Sequence, residues 1–147
     1  MDLSYTLAEL PTVATTILNL YGGGRTYALT GELGSGKTTL VAELCRKLGV
    51  TDPVSSPTYA IVNEYGGGGN KVYHLDCYRL ESVEEAIDAG LEELLAEGGR
   101  TVFVEWPRVI EPLLPPGVVF LRLRHDPGGV AGRRQLTITT EQPAASD

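Results

Sequence analysis

The fold is decided by the stretch Thr26-Tyr27-Ala28-Leu29-Thr30 and the residues that follow it, Gly31-Glu32-Leu33-Gly34-Ser35-Gly36-Lys37-Thr38. The first five residues are a short apolar run that predicts a strand, and residues 31–38 fit the spacing G-x-x-x-x-G-K-[ST] without adjustment. Residues 39–48 then predict a helix that stops at Gly49. A strand, a glycine-rich loop and a helix in this order are the context that the motif requires. We therefore predict a P-loop that wraps nucleotide phosphates.

The residue types of this loop match the chemistry of a phosphate site. Glycines let the backbone curl so that successive N–H groups point inward at phosphate oxygens. The ammonium group of Lys37 can reach the β and γ phosphates, and the hydroxyl of Thr38 can ligate Mg²⁺. The positive amino-terminal end of the following helix lies beneath the phosphates. The residues predicted to bind the nucleotide are Gly31, Glu32, Leu33, Gly34, Ser35, Gly36, Lys37 and Thr38.

A P-loop also needs a carboxylate opposite it to organise the metal ion and the attacking water. Two predicted strands, 72–76 and 101–105, end in an acid after apolar residues. In an open parallel sheet the ligand lies at the carboxyl ends of the strands, and so both acids are candidates. Glu105 is the stronger one because its strand is more continuously apolar, and Asp76 is the second.

The remaining periodic segments predict helices and hairpins. Residues 6–20 have the apolar spacing of a helix that begins with a capping box. Residues 82–97 predict a helix with one acidic face and one apolar stripe that carries Val83, Ile87, Leu91, Leu94 and Leu95. Strand patterns that predict two hairpins are 59–65 with 71–76, and 118–124 with 135–140. The predicted class is α/β: a P-loop NTPase-like, mostly parallel central sheet flanked by helices, with antiparallel hairpin additions.

Length and charge restrict the class of protein further. A chain of 147 residues has room for one domain, which we place at residues 1–141, with a disordered tail at 142–147. We expect a cytoplasmic protein without a membrane partner, because no apolar run could span a bilayer and no secretory pattern begins the chain. A formal charge of −7 argues against direct binding of nucleic acid, which needs clustered cations. The only such candidates are Arg122, Arg124, Arg133 and Arg134.

Four further residues carry side chains that often do chemistry. Cys45 and Cys77 lack the paired spacing of a zinc or redox site, and we interpret them as reduced packing residues. His74 has no second ligand at a zinc spacing, and so we expect it to pack or to form hydrogen bonds. Trp106, the single tryptophan, is either a core anchor or an aromatic residue beside the nucleotide.

Four motifs, in their order and spacing, resemble the bacterial TsaE family, also called YjeE. They are Gly31-Glu32-Leu33-Gly34-Ser35-Gly36-Lys37-Thr38-Thr39, Ser56-Pro57-Thr58-Tyr59, His74-Leu75-Asp76-Cys77-Tyr78-Arg79-Leu80 and Val104-Glu105-Trp106-Pro107. The resemblance extends from Thr6 to Thr140. It implies an ATPase that is needed for the threonylcarbamoyladenosine modification, at position 37, of tRNAs that read codons beginning with A.

The resemblance also implies roles for residues at the nucleotide. Lys37, Thr38 and Thr39 would hold phosphates and metal. Glu105 would hold Mg²⁺ or its water, and Asp76 would support catalysis. The implied cofactors are ATP and Mg²⁺, and the implied activity is an ATP hydrolysis that is slow alone and stimulated by partners.

A second set of implied roles concerns partners and regulation. Arg133 matches an arginine that the family places near the nucleotide. The segment Ser56–Tyr59 resembles a switch, and Trp106 matches a functional tryptophan of the family. The implied partner is the TsaB–TsaD pair, whose TsaD member transfers the threonylcarbamoyl group. The protein would reach tRNA only indirectly, through that pair.

Other P-loop functions are weighed against this one. A GTPase would need a guanine-reading N-K-x-D segment, and the nearest string, Asn70-Lys71-Val72-Tyr73, lacks the aspartate. A small-molecule kinase could use Asp76 as a base and Arg133 or Arg134 as lid arginines, but the chain shows no long lid insertion. A non-catalytic nucleotide sensor shares every binding feature and differs only in turnover.

Overall fold

The structure is a computed structural model that describes residues 1–32, 34–55, 61–67, 70–126 and 132–140. Leu33, the switch-like segment Ser56–Tyr59 and the predicted tail lie outside the described residues. The elements are β1 (Asp2–Thr6), a 3₁₀ turn (Leu7–Glu9), α1 (Leu10–Tyr21), β2 (Thr26–Thr30), α2 (Lys37–Lys47), β3 (Val62–Gly67), β4 (Asn70–Asp76), α3 (Val83–Asp88), α4 (Leu91–Ala96), β5 (Thr101–Glu105), a 3₁₀ helix (Pro107–Leu113), β6 (Val119–His125) and β7 (Arg133–Thr139).

The described strands form one sheet in the order β1-β7-β6-β2-β5-β4-β3. Its four central strands, β6, β2, β5 and β4, run parallel to one another. Both flanks are antiparallel: β3 pairs with β4 on one side, and β7 pairs with β6 and β1 on the other. The predicted α/β class with a parallel centre and two antiparallel hairpins is confirmed.

The strand register brings the predicted catalytic acids to the edge of the sheet where the loop begins. Leu29 of β2 pairs with Glu105 of β5, and Asp76 of β4 pairs with Glu105 from the other side. Because β2 leads directly into residues 31–38, the loop and both acids share the carboxyl edge of the parallel strands.

Helices cover both faces of the sheet. On one face α1 and α2 bury residues such as Ile17 and Leu44 against Phe103 of β5. On the other face α4 and the 3₁₀ helix bury residues such as Leu91 and Ile110 against β4 and β5. The burial of each large apolar side chain stabilises the fold by about 1.5–3 kcal/mol, and these two layers fix the central strands.

The amino terminus differs from the prediction of one helix over residues 6–20. Residues 2–6 form the edge strand β1 on β7, and α1 begins at Leu10, with Pro11 in its first turn. The predicted capping pair exists, since the Glu9 carboxylate accepts a hydrogen bond of 2.9 Å from the Thr6 N–H, but it closes the 3₁₀ turn rather than α1. Proline lacks an N–H and is tolerated in a first helical turn, which accounts for the later start.

The predicted helix over residues 82–97 is two short helices, α3 and α4. Gly90 separates them with φ of 84°, a left-handed conformation that ends α3 and that glycine adopts at little cost. The break rotates the apolar stripe, and so Ala86 is buried while Ile87 is 40% exposed. The prediction placed Ile87 on the buried stripe and was wrong because it assumed one continuous helix.

The two cysteines agree with their interpretation as reduced packing residues. Cys45 and Cys77 are free, buried thiols, and burial raises the pKa of each to about 12, so that both stay protonated at neutral pH. Within the described ranges, no helix combines the length and the apolar character that crossing a membrane would take.

Candidate functional site

The glycine-rich loop leaves β2 and enters α2 through backbone conformations that suit glycine. Gly36 precedes α2 with φ of 99°, in the left-handed region. Gly31 has φ of 146°, and a Cβ atom there would lie 2.5 Å from the backbone oxygen of Leu123 and 2.6 Å from Ser35 Oγ. The loop therefore sits too close to β6 for a side chain at residue 31.

Lys37, the first residue of α2, points its side chain back into the loop. Its Nζ donates hydrogen bonds to the carbonyl oxygens of Gly31 at 2.5 Å and Glu32 at 3.0 Å. Burial lowers the pKa of the ammonium group, and the nearby carboxylates of Glu105 and Asp76 oppose that shift. A buried cation that bonds to neutral carbonyls is a ready partner for an anionic ligand.

Glu105 ends β5 with a buried carboxylate that is only 3% exposed. Its two oxygens accept hydrogen bonds from Thr38 Oγ1, at 3.2 and 3.0 Å. His74 Nε2 lies 2.5 Å from Oε2 of the same carboxylate. The structure thus brings the two predicted metal residues, Thr38 and Glu105, into direct contact.

The residues of the site fit a nucleotide with Mg²⁺. Ser35 Oγ is fully buried, and among the described residues it has no hydrogen-bond partner, which leaves one polar group of the loop for a ligand. The donor set, one hydroxyl and one carboxylate, suits Mg²⁺ that takes its remaining ligands from phosphates and water. The described part of the chain holds no cluster of three or more His, Cys, Asp or Glu that would form an all-protein metal centre.

Asp76, the second predicted acid, lies beside Glu105 in the register of β4 and β5. Its Oδ1 accepts a hydrogen bond of 3.0 Å from the N–H of Tyr78, the residue two positions on. The carboxylate is half-buried and close enough to Lys37 to raise the pKa of that ammonium group. It is therefore a neighbour of the loop, and Glu105 is the acid that contacts Thr38.

Trp106 lies over the loop and not in either of the two large apolar clusters. Its ring centroid is 4.1 Å from Lys37 Nζ, and the exposed ring of Tyr78 lies against it at 5.0 Å between centroids. Trp106 is the one non-glycine residue in the described ranges with a positive φ, 57°, just before Pro107. A strained aromatic residue held against Lys37 of the predicted phosphate loop favours the second interpretation, an aromatic beside the nucleotide.

The structure brings Arg134 to the loop, and it does not bring Arg133 there. Arg134 Nη2 makes a long contact of 3.5 Å with the carbonyl oxygen of Gly34, whereas Arg133 Nε donates to Ser4 Oγ of β1 at 3.2 Å. Alternate residues of a strand face opposite sides of the sheet, and so only one of two adjacent arginines can reach the loop.

A cavity of about 500 Å³ opens beside the loop. It is bounded by Gly31, Glu32 and Trp106 on the loop side and by residues of β6 such as Arg122 and Arg124. A further cavity, of about 680 Å³, lies near the start of β4 and β5 and contains none of the predicted site residues. The cavity beside the loop is large enough for the part of a nucleotide that extends beyond its phosphates.

Comparison with known proteins places this geometry in a family. The model of the family described as "Threonylcarbamoyl adenosine biosynthesis protein TsaE" matches residues 4–135. The chain belongs to the TsaE family. A tRNA threonylcarbamoyladenosine biosynthesis protein TsaE from Nostoc is 36% identical over 151 aligned positions, which cover all of this chain and 83% of that protein.

Other members of the TsaE family give the same result. The TsaE protein of Bacillus subtilis is 42% identical over 92 residues, 63% of this chain and 56% of that protein, and so the match spans little more than half of that relative. The crystal structure of YdiB from Bacillus subtilis has a TM-score of 0.70 and 27% identity, and the match covers 94% of this chain and 84% of that one.

Tyr65 and the hydrogen-bond partners of His74 were not identified from the sequence. Tyr65 Oη lies 3.0 Å from His74 Nδ1, and so the contacts of Glu105 extend through His74 to β3. The hydrogen-bonding interpretation of His74 is confirmed, but its partners could not be named from the sequence. The pairing of β3 with β4 sets them, and only a strand register would have revealed Tyr65.

We predict that Lys37→Ala weakens ADP·Mg²⁺ binding at least about 10-fold, because a hydrogen bond to a charged group contributes roughly 1.5–3 kcal/mol. Lys47→Ala, which removes an exposed lysine from the end of the same helix, is the matched control and should bind normally. Isothermal titration calorimetry measures both affinities, and thermal unfolding checks that both variants fold. Equal affinity in Lys37→Ala and the parent would refute this assignment.

Proposed function

We propose that the protein binds and hydrolyses ATP with Mg²⁺ and that this activity serves threonylcarbamoyladenosine modification of tRNA in concert with the TsaB–TsaD pair. ATP binding and hydrolysis are supported by the contact between Thr38 Oγ1, at the start of α2, and the buried carboxylate of Glu105, at the end of β5. The second half is supported by membership of the TsaE family.

Three groups of this chain would hold the nucleotide. The Lys37 ammonium turns from the carbonyls of Gly31 and Glu32 to the β and γ phosphates, a better partner for a cation. The N–H groups of the loop and the amino-terminal end of α2 surround the same phosphates. Ser35 Oγ, buried within the loop, supplies a further hydroxyl.

Hydrolysis depends on the groups opposite the phosphates. The Thr38 hydroxyl and the Glu105 carboxylate would ligate Mg²⁺ directly or through its water. Mg²⁺ held by these residues would supply positive charge against the negative charge that develops during phosphoryl transfer. Asp76 stands beside Glu105 as a second carboxylate at the loop.

Charge supports an indirect route to tRNA. The chain carries a formal charge of −7, and α3 and α4 add acids in their first turns. Cations on the β6–β7 hairpin are engaged within the protein: Arg124 donates to Gln135, and Arg133 donates to Ser4. Tight binding of tRNA releases counterions through several clustered cations. Protein partners therefore bring this chain to the RNA.

The Glu105→Gln variant should separate affinity from turnover. It keeps the shape of the side chain but weakens metal ligation, and so the affinity for ADP without Mg²⁺ should stay within about 3-fold, whereas ATP hydrolysis should fall about 100-fold, a usual effect of losing one catalytic carboxylate. Calorimetry and a phosphate-release assay measure the two quantities. Glu92→Gln, an exposed glutamate on α4, is the control.

The outcomes of that experiment distinguish the alternatives. Hydrolysis at the parental rate in Glu105→Gln would transfer the role to Asp76 or to a partner residue. An absence of hydrolysis in the parent, alone and with the TsaB–TsaD pair, would make the protein a non-catalytic nucleotide sensor.

The role in tRNA modification is tested by rebuilding threonylcarbamoylation from purified TsaB–TsaD, its substrates and tRNA, over repeated turnovers. Addition of this protein should accelerate the multiple-turnover phase. Trp106→Ala should lose more of this stimulation than of ADP affinity, because the ring lies at the loop surface, whereas Trp106→Phe should keep part of both. Equal rates without the protein, or tight binding of free tRNA at physiological salt, would contradict the proposal.

A further inference from the structure

A line of hydrogen-bonding side chains crosses one face of the sheet from Thr38 to Ser55. Thr38 Oγ1 bonds to Glu105, Glu105 Oε2 lies 2.5 Å from His74 Nε2, and His74 Nδ1 lies 3.0 Å from Tyr65 Oη. Tyr65 Oη donates to the Ser55 carbonyl at 2.6 Å. Three adjacent strands, β5, β4 and β3, each contribute one member to the line.

The middle of this line is shielded from water. His74 is fully buried, Glu105 is 3% exposed and Tyr65 is 5% exposed. Buried polar groups that bond to one another move together, since a change in one leaves its neighbour unpaired. A displacement of the Glu105 carboxylate therefore changes the hydrogen bonds of His74 and Tyr65.

The proton positions follow from the donors available. A carboxylate only accepts, and so His74 presents Nε2–H to Glu105; in the tautomer that carries this proton, Nδ1 is an acceptor. The Tyr65 hydroxyl carries one proton and faces two acceptors, His74 Nδ1 and the Ser55 carbonyl. Rotation of this hydroxyl exchanges one bond for the other.

Rotation of the Tyr65 hydroxyl changes the hydrogen bonds of Ser55. Its N–H donates to Tyr65 Oη at 3.2 Å, and its carbonyl also accepts from Asn63 Nδ2 at 3.2 Å. The residue thus bonds to Tyr65 through both backbone groups, and Asn63 keeps its carbonyl paired when the hydroxyl turns away. Ser55 directly precedes the switch-like segment Ser56–Tyr59 in the chain.

We propose that His74 and Tyr65 are positioning residues: His74 orients Glu105 for the metal, and the Tyr65 hydroxyl couples the position of Glu105 to the backbone of Ser55. The inference rests on the proposed Mg²⁺–nucleotide site. It extends that site from the loop to β3, with the hydroxyl rotor as the connecting element.

The first test determines which ring nitrogen of His74 carries the proton. The chain contains two histidines, His74 and the exposed His125, and so ¹⁵N-imidazole NMR spectra are simple to assign with His125→Gln. We expect the Nε2–H tautomer at His74 in the free protein, and a shift of its signals when Mg²⁺ is added to the ADP-bound protein. The Nδ1–H tautomer would overturn the proposal, because Nε2 would then have no proton to donate to Glu105.

The second test measures how much Mg²⁺ strengthens ADP binding, by calorimetry with and without the metal ion. His74→Asn cannot reach Glu105 and should lose about 10-fold or more of that gain, as is usual when a residue that orients a metal ligand is removed. His74→Gln, whose amide extends to the position of Nε2, should recover most of it. Both variants should bind ADP without Mg²⁺ as the parent does.

Tyr65→Phe isolates the connection to Ser55. It removes one hydroxyl, and so Mg²⁺-dependent protection of the Ser55 amide from hydrogen exchange should disappear. The affinity for ADP in the presence of Mg²⁺ should fall less than in His74→Asn. Tyr73→Phe, on the opposite face of the neighbouring strand β4, is the matched control and should behave as the parent does. Thermal unfolding checks each variant.

The possible results separate this inference from the proposed function. If the parent shows a Mg²⁺-dependent gain that His74→Asn and Tyr65→Phe retain in full, together with Ser55 protection, the positioning role is wrong and the nucleotide site stands. If the parent itself shows no gain from Mg²⁺, the metal site is wrong and this inference falls with it.

Discussion

The contact between the Thr38 hydroxyl and the buried Glu105 carboxylate is the constraint on which the rest of the site depends. A carboxylate that is 3% exposed must be paired with donors, because an unpaired charge in a protein interior is costly. Its donors come from α2 and β4, and so the loop, the helix and three strands must all hold their relative positions. The two apolar layers on the faces of the sheet supply that rigidity.

The same constraint explains where the molecule is strained. Gly31 is pressed against the backbone of β6, and Trp106 holds a left-handed conformation directly after Glu105. That conformation costs roughly 1–2 kcal/mol in a residue with a side chain. It turns the chain sharply at the end of β5 and lays the indole ring over Lys37. Strain next to the phosphate loop is the pattern expected where backbone geometry serves a ligand rather than the core.

Local patterns predicted most of the fold and the centre of the site. The loop spacing identified Lys37 and Thr38, and the apolar run before Glu105 identified a strand buried on both faces, which the structure confirms. The predictions failed where the structure depends on residues far apart in the chain or on the conformation of a single residue. Strand β1 exists because β7 offers it an edge more than 120 positions away in the chain, and one left-handed glycine, Gly90, divides a predicted helix into two.

The contacts of the site that the sequence could not predict are set by the register of the strands. Tyr65 and His74 meet because of how β3, β4 and β5 are aligned, which no spacing along the chain encodes. The choice between Arg133 and Arg134 at the loop likewise depends on which face of β7 each occupies. Residues that act through a neighbouring strand are therefore visible only in the assembled sheet.

The central claim is that residues 31–38 enclose nucleotide phosphates with Lys37, Thr38 and Glu105 around them. A crystal structure with Mg²⁺ and a non-hydrolysable ATP analogue tests it most directly. The account predicts that Lys37 Nζ leaves the carbonyls of Gly31 and Glu32 for a phosphate oxygen, with Mg²⁺ next to Thr38 Oγ1 and Glu105. A nucleotide bound elsewhere, with Lys37 still on those carbonyls, would contradict it.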